Sequence, residues 1–97
     1  MLYQNSAYWY EIQIDNLDDV STLHAIEFTF GNISKIYPSE DVVYDNNVFR
    51  IKLSQSETLS LNDKTAVQAR IKFANGDILP TKIEYDNVQL TLSKMEI

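Results

Sequence analysis

The chain is dominated by alternation of apolar and polar residues, the period of a β-strand that buries one face. Because the connections between strands are too short for helical crossovers, neighbouring strands should pair antiparallel. The pattern therefore predicts an all-β, Ig-like antiparallel β-sandwich of about seven to eight short strands. The predicted strands cover residues 8–14, 25–30, 33–37, 41–44, 47–53, 65–74, 78–85 and 88–92.

Local signals place one short helix and two hairpins between these strands. Ser54 followed by Glu57 matches a capping box, which predicts a helix of one to two turns. Asp45-Asn46 and Asn75-Gly76-Asp77 are turn sequences whose residues tolerate positive φ, so each should close a hairpin.

Length, composition and charge narrow the class of protein. The 97 residues, 44% hydrophobic and 23% charged, fit a single globular domain over 1–97. The sequence contains no cysteine, which excludes disulfides and thiolate metal sites and favours a reducing compartment. No signal peptide or membrane-length apolar run is visible, so we expect a protein that is soluble and cytosolic when made. The net charge of −6 argues against a nucleic-acid partner.

No residue pattern points to catalysis. His24 is the only histidine, and no nucleophile motif accompanies it, so we interpret it as structural or surface-exposed. The loop with Asp15, Asn16, Asp18 and Asp19 is rich in oxygen ligands but lacks the glycine and terminal glutamate of an EF-hand. We interpret these residues as a solvated loop with helix-capping side chains, and weak calcium binding is the alternative. We expect a protein that is not an enzyme, with no catalytic residue, metal or cofactor.

The first predicted strand carries large rings on both faces. Tyr8 and Tyr10 point one way and Trp9 points the other way. Either one face packs on the core and the other meets a partner, or the strand lies between two buried layers. Tyrosine and tryptophan are enriched at interface hot spots, so Tyr8, Trp9 and Tyr10 are candidate interface residues.

Two predicted strands each carry a pair of cations at alternate positions. Arg50 and Lys52 lie on one, and Arg70 and Lys72 on the other. If the two strands share a sheet, the four side chains form one basic stripe that could dock an acidic partner. Otherwise they belong to solvated faces with cross-strand ion pairs to outward-facing glutamates.

A strand, a short capped turn and a hairpin lie within residues 26–30, 51–59, 67–72 and 75–79. Together these segments resemble small structural proteins encoded by phages and prophages of Gram-positive bacteria. The resemblance covers most of residues 20–97 and extends to the N-terminal β-sandwich domain of phage baseplate upper proteins. It implies an Ig-like sandwich with a structural role in the particle, and no catalytic residue carries over. The tyrosine- and tryptophan-rich start and the Tyr37-Pro38 strand end depart from that pattern. The resemblance also implies synthesis in the cytoplasm of a bacterial host and incorporation into the virion.

The sequence therefore leads to two hypotheses. The first is a non-enzymatic, virion-associated structural or accessory protein that contacts other virion proteins or a second copy of itself. The alternative is a small carbohydrate- or peptide-binding sandwich, since exposed aromatic rings suit sugar stacking and a free edge strand suits peptide addition. Neither hypothesis involves nucleic acid or a membrane.

Overall fold

A computed structural model describes residues 1–14 and 23–97, which form nine strands and one short helix in this part of the chain. The strands lie in two packed sheets, so the predicted all-β sandwich is confirmed. The elements are β1 (Leu2–Tyr3), β2 (Tyr8–Ile12), β3 (Leu23–Phe30), β4 (Ile33–Tyr37), β5 (Val42–Asp45), β6 (Val48–Leu53), α1 (Gln55–Thr58), β7 (Lys64–Phe73), β8 (Ile78–Pro80) and β9 (Glu84–Gln89).

The two sheets differ in size. The larger sheet has six strands in the order β1-β9-β7-β3-β4, with β8 also beside β7. The smaller sheet has three strands in the order β2-β6-β5. The described strand pairs are antiparallel, as expected, except for the parallel pair of β1 and β9. Short connections do not constrain that pair, because its strands lie far apart in the chain.

The long return strand predicted over 78–85 is interrupted. Residues 78–80 form β8 and pair with the end of β7, whereas β9 begins only at Glu84 and pairs with the start of β7. Between them, Thr81 Oγ1 accepts a hydrogen bond of 3.0 Å from the Ala69 amide. Because a side-chain oxygen takes the place of a backbone carbonyl here, the alternation pattern does not reveal the break. The last strand predicted over 88–92 is correspondingly wrong beyond residue 89.

The hairpin between β5 and β6 turns one residue later than predicted. Asn46 and Asn47 have φ values of 50° and 63°, and Asp45 pairs with Val48 across the turn. A two-residue turn with both central residues at positive φ matches the right-handed twist of the flanking strands. Asparagine adopts this conformation more readily than most residues, which explains why the Asn-Asn pair takes the turn.

Aromatic rings join the two sheets in the core. Phe28 on β3 lies 5.4 Å from Phe49 on β6, and Tyr10 on β2 lies 5.2 Å from Phe30 on β3, between ring centroids. Tyr37 and Tyr44 also pack on Phe49. The buried apolar side chains of the core are Leu2, Ile26, Phe28, Phe30, Ile33, Val42, Phe49, Ile51, Leu53, Leu61, Ala69, Ile71 and Val88.

The helix α1 forms as the capping box predicts. The Ser54 hydroxyl accepts a hydrogen bond from the Glu57 amide, and the Glu57 carboxylate accepts one from the Ser54 amide. Glu57 also lies 2.8 Å from Lys35 Nζ, which contacts Asp41 at 3.0 Å. Burial alone would lower the pKa of Lys35, but the hydrogen bonds to Glu57 and Asp41 outweigh it and raise that pKa. This ion cluster, which the sequence pattern did not predict, ties β4 to α1.

Candidate interface on the smaller sheet

Strand β2 presents one face to the core and the other to solvent. Tyr8, Tyr10 and Ile12 are half-buried and pack against the core. Trp9, between them, is 46% exposed on the outer face of the smaller sheet. The sequence left open whether β2 has one free face or lies between two buried layers, and the structure shows that one face is free. Trp9 is therefore the candidate interface residue, whereas Tyr8 and Tyr10 contribute mainly to packing.

Trp9 and three charged side chains form a two-by-two block on the outer face of β2 and β6, which we call the Trp9 block. In the register of β2 and β6, Trp9 is opposite Lys52 and Glu11 is opposite Arg50. The Lys52 Nζ atom lies 6.0 Å from the centre of the Trp9 ring, at the outer limit of a cation–π contact. Arg50 Nε lies 3.3 Å from Glu11 Oε1. The block combines an apolar ring with two cations and one carboxylate.

Two residues of this surface were not among the candidates drawn from the sequence. Glu11 lies beside Arg50 only because of the strand register, which hydrophobic alternation along a single strand does not specify. Val43 on β5 is opposite Arg50 and is 41% exposed, so it extends the surface beyond the Trp9 block. An apolar residue at an outward position of β5 was the only signal for it.

The inner face of β2 is attached to the larger sheet by a hydrogen bond. The Tyr10 hydroxyl donates to Asp86 Oδ2 on β9 at 2.6 Å, and the amino group at Met1 lies 3.1 Å from the same oxygen. Burial raises the pKa of Tyr10, and the hydrogen bond to Asp86 raises it further. For Asp86, burial is opposed by the Tyr10 hydroxyl and the amino group, and the net effect lowers its pKa. These contacts fix the orientation of β2 and hence the outward direction of Trp9.

Tyr8 provides a second attachment for β2. Its hydroxyl accepts a hydrogen bond of 2.7 Å from the Tyr3 amide, and the two rings pack edge to face at 5.4 Å between centroids. Burial is the main cause of the raised pKa of Tyr8. Tyr8 therefore connects the smaller sheet to β1 of the larger sheet.

The four candidate cations do not form a single stripe. Arg50 and Lys52 lie on β6 in the smaller sheet, whereas Arg70 and Lys72 lie on β7 in the larger sheet. Since both pairs point away from the core, they lie on opposite outer faces of the sandwich. Arg70 Nε is 2.9 Å from Glu27 Oε1 on β3, which is the cross-strand ion pair of the alternative interpretation. The single-stripe hypothesis is wrong because β6 and β7 are in different sheets.

An open groove of about 670 Å³ runs along the side of the sandwich, between β2 and the segment from Thr81 to Asp86. Tyr10, Ile12 and Val67 supply apolar lining, and Glu84 and Lys82 supply charge.

In residues 1–14 and 23–97, no three His, Asp or Glu side chains are grouped as metal ligands. The calcium hypothesis for the 15–19 loop falls outside the described residues, and His24 is exposed on β3, as expected.

Comparisons with known proteins give no information about this site. Searches against protein-family models, curated proteins and solved structures found no match. The described part of the chain contains no helix with the length and apolar character needed to cross a bilayer. The candidate interface therefore depends on the arrangement of Trp9, Glu11, Arg50 and Lys52.

Proposed function

We propose that this protein is a non-enzymatic docking module that binds other proteins through the outer face of its smaller sheet. The observation that carries the proposal is the exposure of Trp9 on a sheet face where it is flanked by Lys52 and by the Glu11–Arg50 ion pair. Interface hot spots are enriched in tryptophan and arginine, and the Trp9 block contains one of each.

The contrast with the other aromatic residues of the smaller sheet supports this function. Tyr10, Tyr44 and Phe49 pack inside the sandwich, where they contribute to folding. Trp9 makes no comparable contribution, because nearly half of its surface is exposed to water. An exposed tryptophan leaves apolar area that a partner surface can bury. Docking explains this position better than stability of the fold does.

We further propose that the docking serves a phage or prophage particle, in which the protein is a structural or accessory component. This part of the proposal rests on the resemblance of residues 26–30, 51–59, 67–72 and 75–79 to small phage proteins. Its test is mass spectrometry of particles purified after induction of the source strain. Stoichiometric recovery of this chain with the particles is expected, and its consistent absence from them would contradict the particle role.

Carbohydrate binding is the second candidate, because an exposed tryptophan on a sheet face beside a carboxylate and a guanidinium suits sugar recognition. The position of Lys52 argues for the protein partner. Its ammonium group lies 6.0 Å from the Trp9 ring centre, so a sugar stacked on that side of the ring would have to displace it. A partner with carboxylates could instead pair with Lys52 where it is.

A photo-crosslinking amino acid at position 9 tests protein docking directly. The control places the same group at Asn87, an exposed residue of β9 in the larger sheet. We expect ultraviolet light to produce protein adducts from position 9 and few from position 87, with fewer adducts when Lys52→Glu is added. Equal yields from both positions would contradict the assignment of the face. A glycan adduct at position 9 would favour the second candidate.

A further inference from the structure

We infer that the Trp9 block binds a second copy of itself, so that the chain forms an isologous dimer through the outer faces of two smaller sheets. The inference rests on the proposed docking function and identifies one partner for it. It follows from the placement of one ring, two cations and one carboxylate in a block of two rows and two columns.

The register determines which side chains would meet. Consider two blocks packed face to face about a two-fold axis that runs parallel to the strands, midway between β2 and β6. This axis places β2 of one copy over β6 of the other without changing the position along the strand. Trp9 then faces Lys52 of the second copy, and Glu11 faces its Arg50. By symmetry each of these contacts forms twice.

Both intermolecular contacts are favourable. Lys52 lies beside a ring in its own chain and would meet the ring of the second copy in the same way, as a cation over the indole. The Glu11–Arg50 pair of each chain, 3.3 Å apart, would join that of the other in a network of two carboxylates and two guanidinium groups with alternating charge. Ion-pair networks contribute more than isolated exposed pairs do.

The other orientation that keeps the strands of the two copies aligned does not have this complementarity. A two-fold axis perpendicular to the strands would place Trp9 over Glu11 of the second copy and Lys52 over its Arg50. That arrangement sets the carboxylate against the negative face of the indole ring and two cations against each other. The charge pattern of the block therefore selects the parallel axis.

The size of the face limits the strength of the contact. About this axis only β2 and β6 of the two copies overlap, and two strands spaced about 4.8 Å apart and about five residues long give a contact of roughly 10 Å by 17 Å. A standard interface buries about 800 Å² on each partner, and this contact is smaller. We therefore expect a reversible dimer with a dissociation constant on the order of 100 μM.

Mixing two charge variants provides the test. In the dimer, Glu11→Arg alone sets two guanidinium groups against each other at each contact, and Arg50→Glu alone sets two carboxylates against each other. Each variant should dimerise at least about tenfold more weakly than the parent chain. An equimolar mixture restores opposite charges at both contacts and should form a heterodimer close to the parent affinity. Sedimentation velocity from about 20 μM to about 2 mM would measure this.

The ion pair on the larger sheet supplies a matched control. Glu27 and Arg70 are also adjacent on two strands and lie 2.9 Å apart, but they are on the opposite outer face. Glu27→Arg and Arg70→Glu each break an intramolecular pair in the same way. These variants should dimerise like the parent chain, both alone and when mixed. This control separates lost charge pairing within a chain from charge pairing between chains.

The outcomes separate the dimer from the docking function. Rescue of association in the Glu11→Arg and Arg50→Glu mixture supports the dimer. A parent chain that remains monomeric at the highest concentration overturns it, and so does a mixture no more associated than its two components. If the dimer fails while position 9 still crosslinks to another protein, docking remains and only the identity of the partner changes. If both experiments fail, the docking function itself is wrong.

Discussion

The two faces of the smaller sheet use aromatic residues in opposite ways. On the inner face, Phe49 is 1% exposed and contacts the rings of Phe28, Tyr37 and Tyr44. On the outer face, Trp9 is 46% exposed, and its ring neighbour is the ammonium group of Lys52. The same three strands therefore hold a packed aromatic cluster on one side and an open ring among charges on the other.

This difference separates folding from binding within one small sheet. Inner rings are surrounded by apolar atoms, so removing one leaves a cavity and reduces stability. Truncation of Trp9, the outer ring, should cost the free protein little stability, because water already contacts much of that ring. Substitutions on the inner face should change the free energy of unfolding, whereas those on the outer face should change association.

Phe49→Ala has the largest expected effect. Removing this buried ring should lower the free energy of unfolding by about 3–5 kcal/mol, because three neighbouring rings lose a packing partner. Urea denaturation followed by circular dichroism measures the loss. If the alanine variant does not fold, Phe49→Leu keeps the measurement within range. A loss below about 1 kcal/mol for Phe49→Ala would contradict the description of the inner face.

Tyr10→Phe should have an intermediate effect. It removes the hydroxyl that donates to Asp86 but keeps the ring against Phe30, and hydrogen bonds to charged groups contribute about 1.5–3 kcal/mol. The matched control is Tyr44→Phe, whose hydroxyl bonds to the exposed side chain of Asn47 at 3.0 Å. We expect the control to lose less stability in the same denaturation experiment. Equal losses would show that the bond to Asp86 does not anchor β2.

The same bond should make stability depend on pH at both extremes. The pKa of Asp86 is lowered in the folded protein, so its contribution is complete above its unfolded value of about 4 and is lost as the pH falls through the folded value. The pKa of Tyr10 is raised, so its contribution is complete below about pH 10 and is lost as the pH rises further. Denaturation across pH should give a flatter profile for Tyr10→Phe. Identical profiles would contradict the coupling.

Trp9→Ala has the smallest expected effect on stability. Because the ring is nearly half exposed, its loss should change the free energy of unfolding by about 1 kcal/mol or less. The same substitution should abolish the concentration-dependent dimer, since each copy loses a ring that faces Lys52. Circular dichroism during denaturation measures the first quantity and sedimentation the second. A loss of stability as large as that of Phe49→Ala would place Trp9 in the core.

The parts of the fold that depend on local pattern could be predicted from the sequence. Alternation located β3, β6 and β7, and the Ser54–Glu57 capping box located α1, because each signal lies within one short segment. Strand β1 has only two residues, too few to show alternation, and its pairing with β9 joins distant parts of the chain. Its residue Leu2 is fully buried, although nothing in the local sequence predicted this.

The candidate site was predictable only in part, because it too depends on pairings between distant parts of the chain. Alternation placed Tyr8 and Trp9 on opposite faces of one strand but did not show which face is buried. The assignment of Arg50 and Arg70 to different sheets depends on topology, which strand patterns do not determine. The pairing of Glu11 with Arg50 depends on register.

The most direct test of the account is quenching of the fluorescence of Trp9, the only tryptophan in the chain. In dilute protein we predict that both iodide and caesium quench the emission, and that the ratio of iodide to caesium quenching exceeds that of free tryptophan because Lys52 attracts anions. Lys52→Glu should lower that ratio. As the protein concentration rises through the dimer range, Trp9 should become protected from iodide. Emission that resists both ions in dilute solution would show that Trp9 is buried and would contradict an exposed docking face.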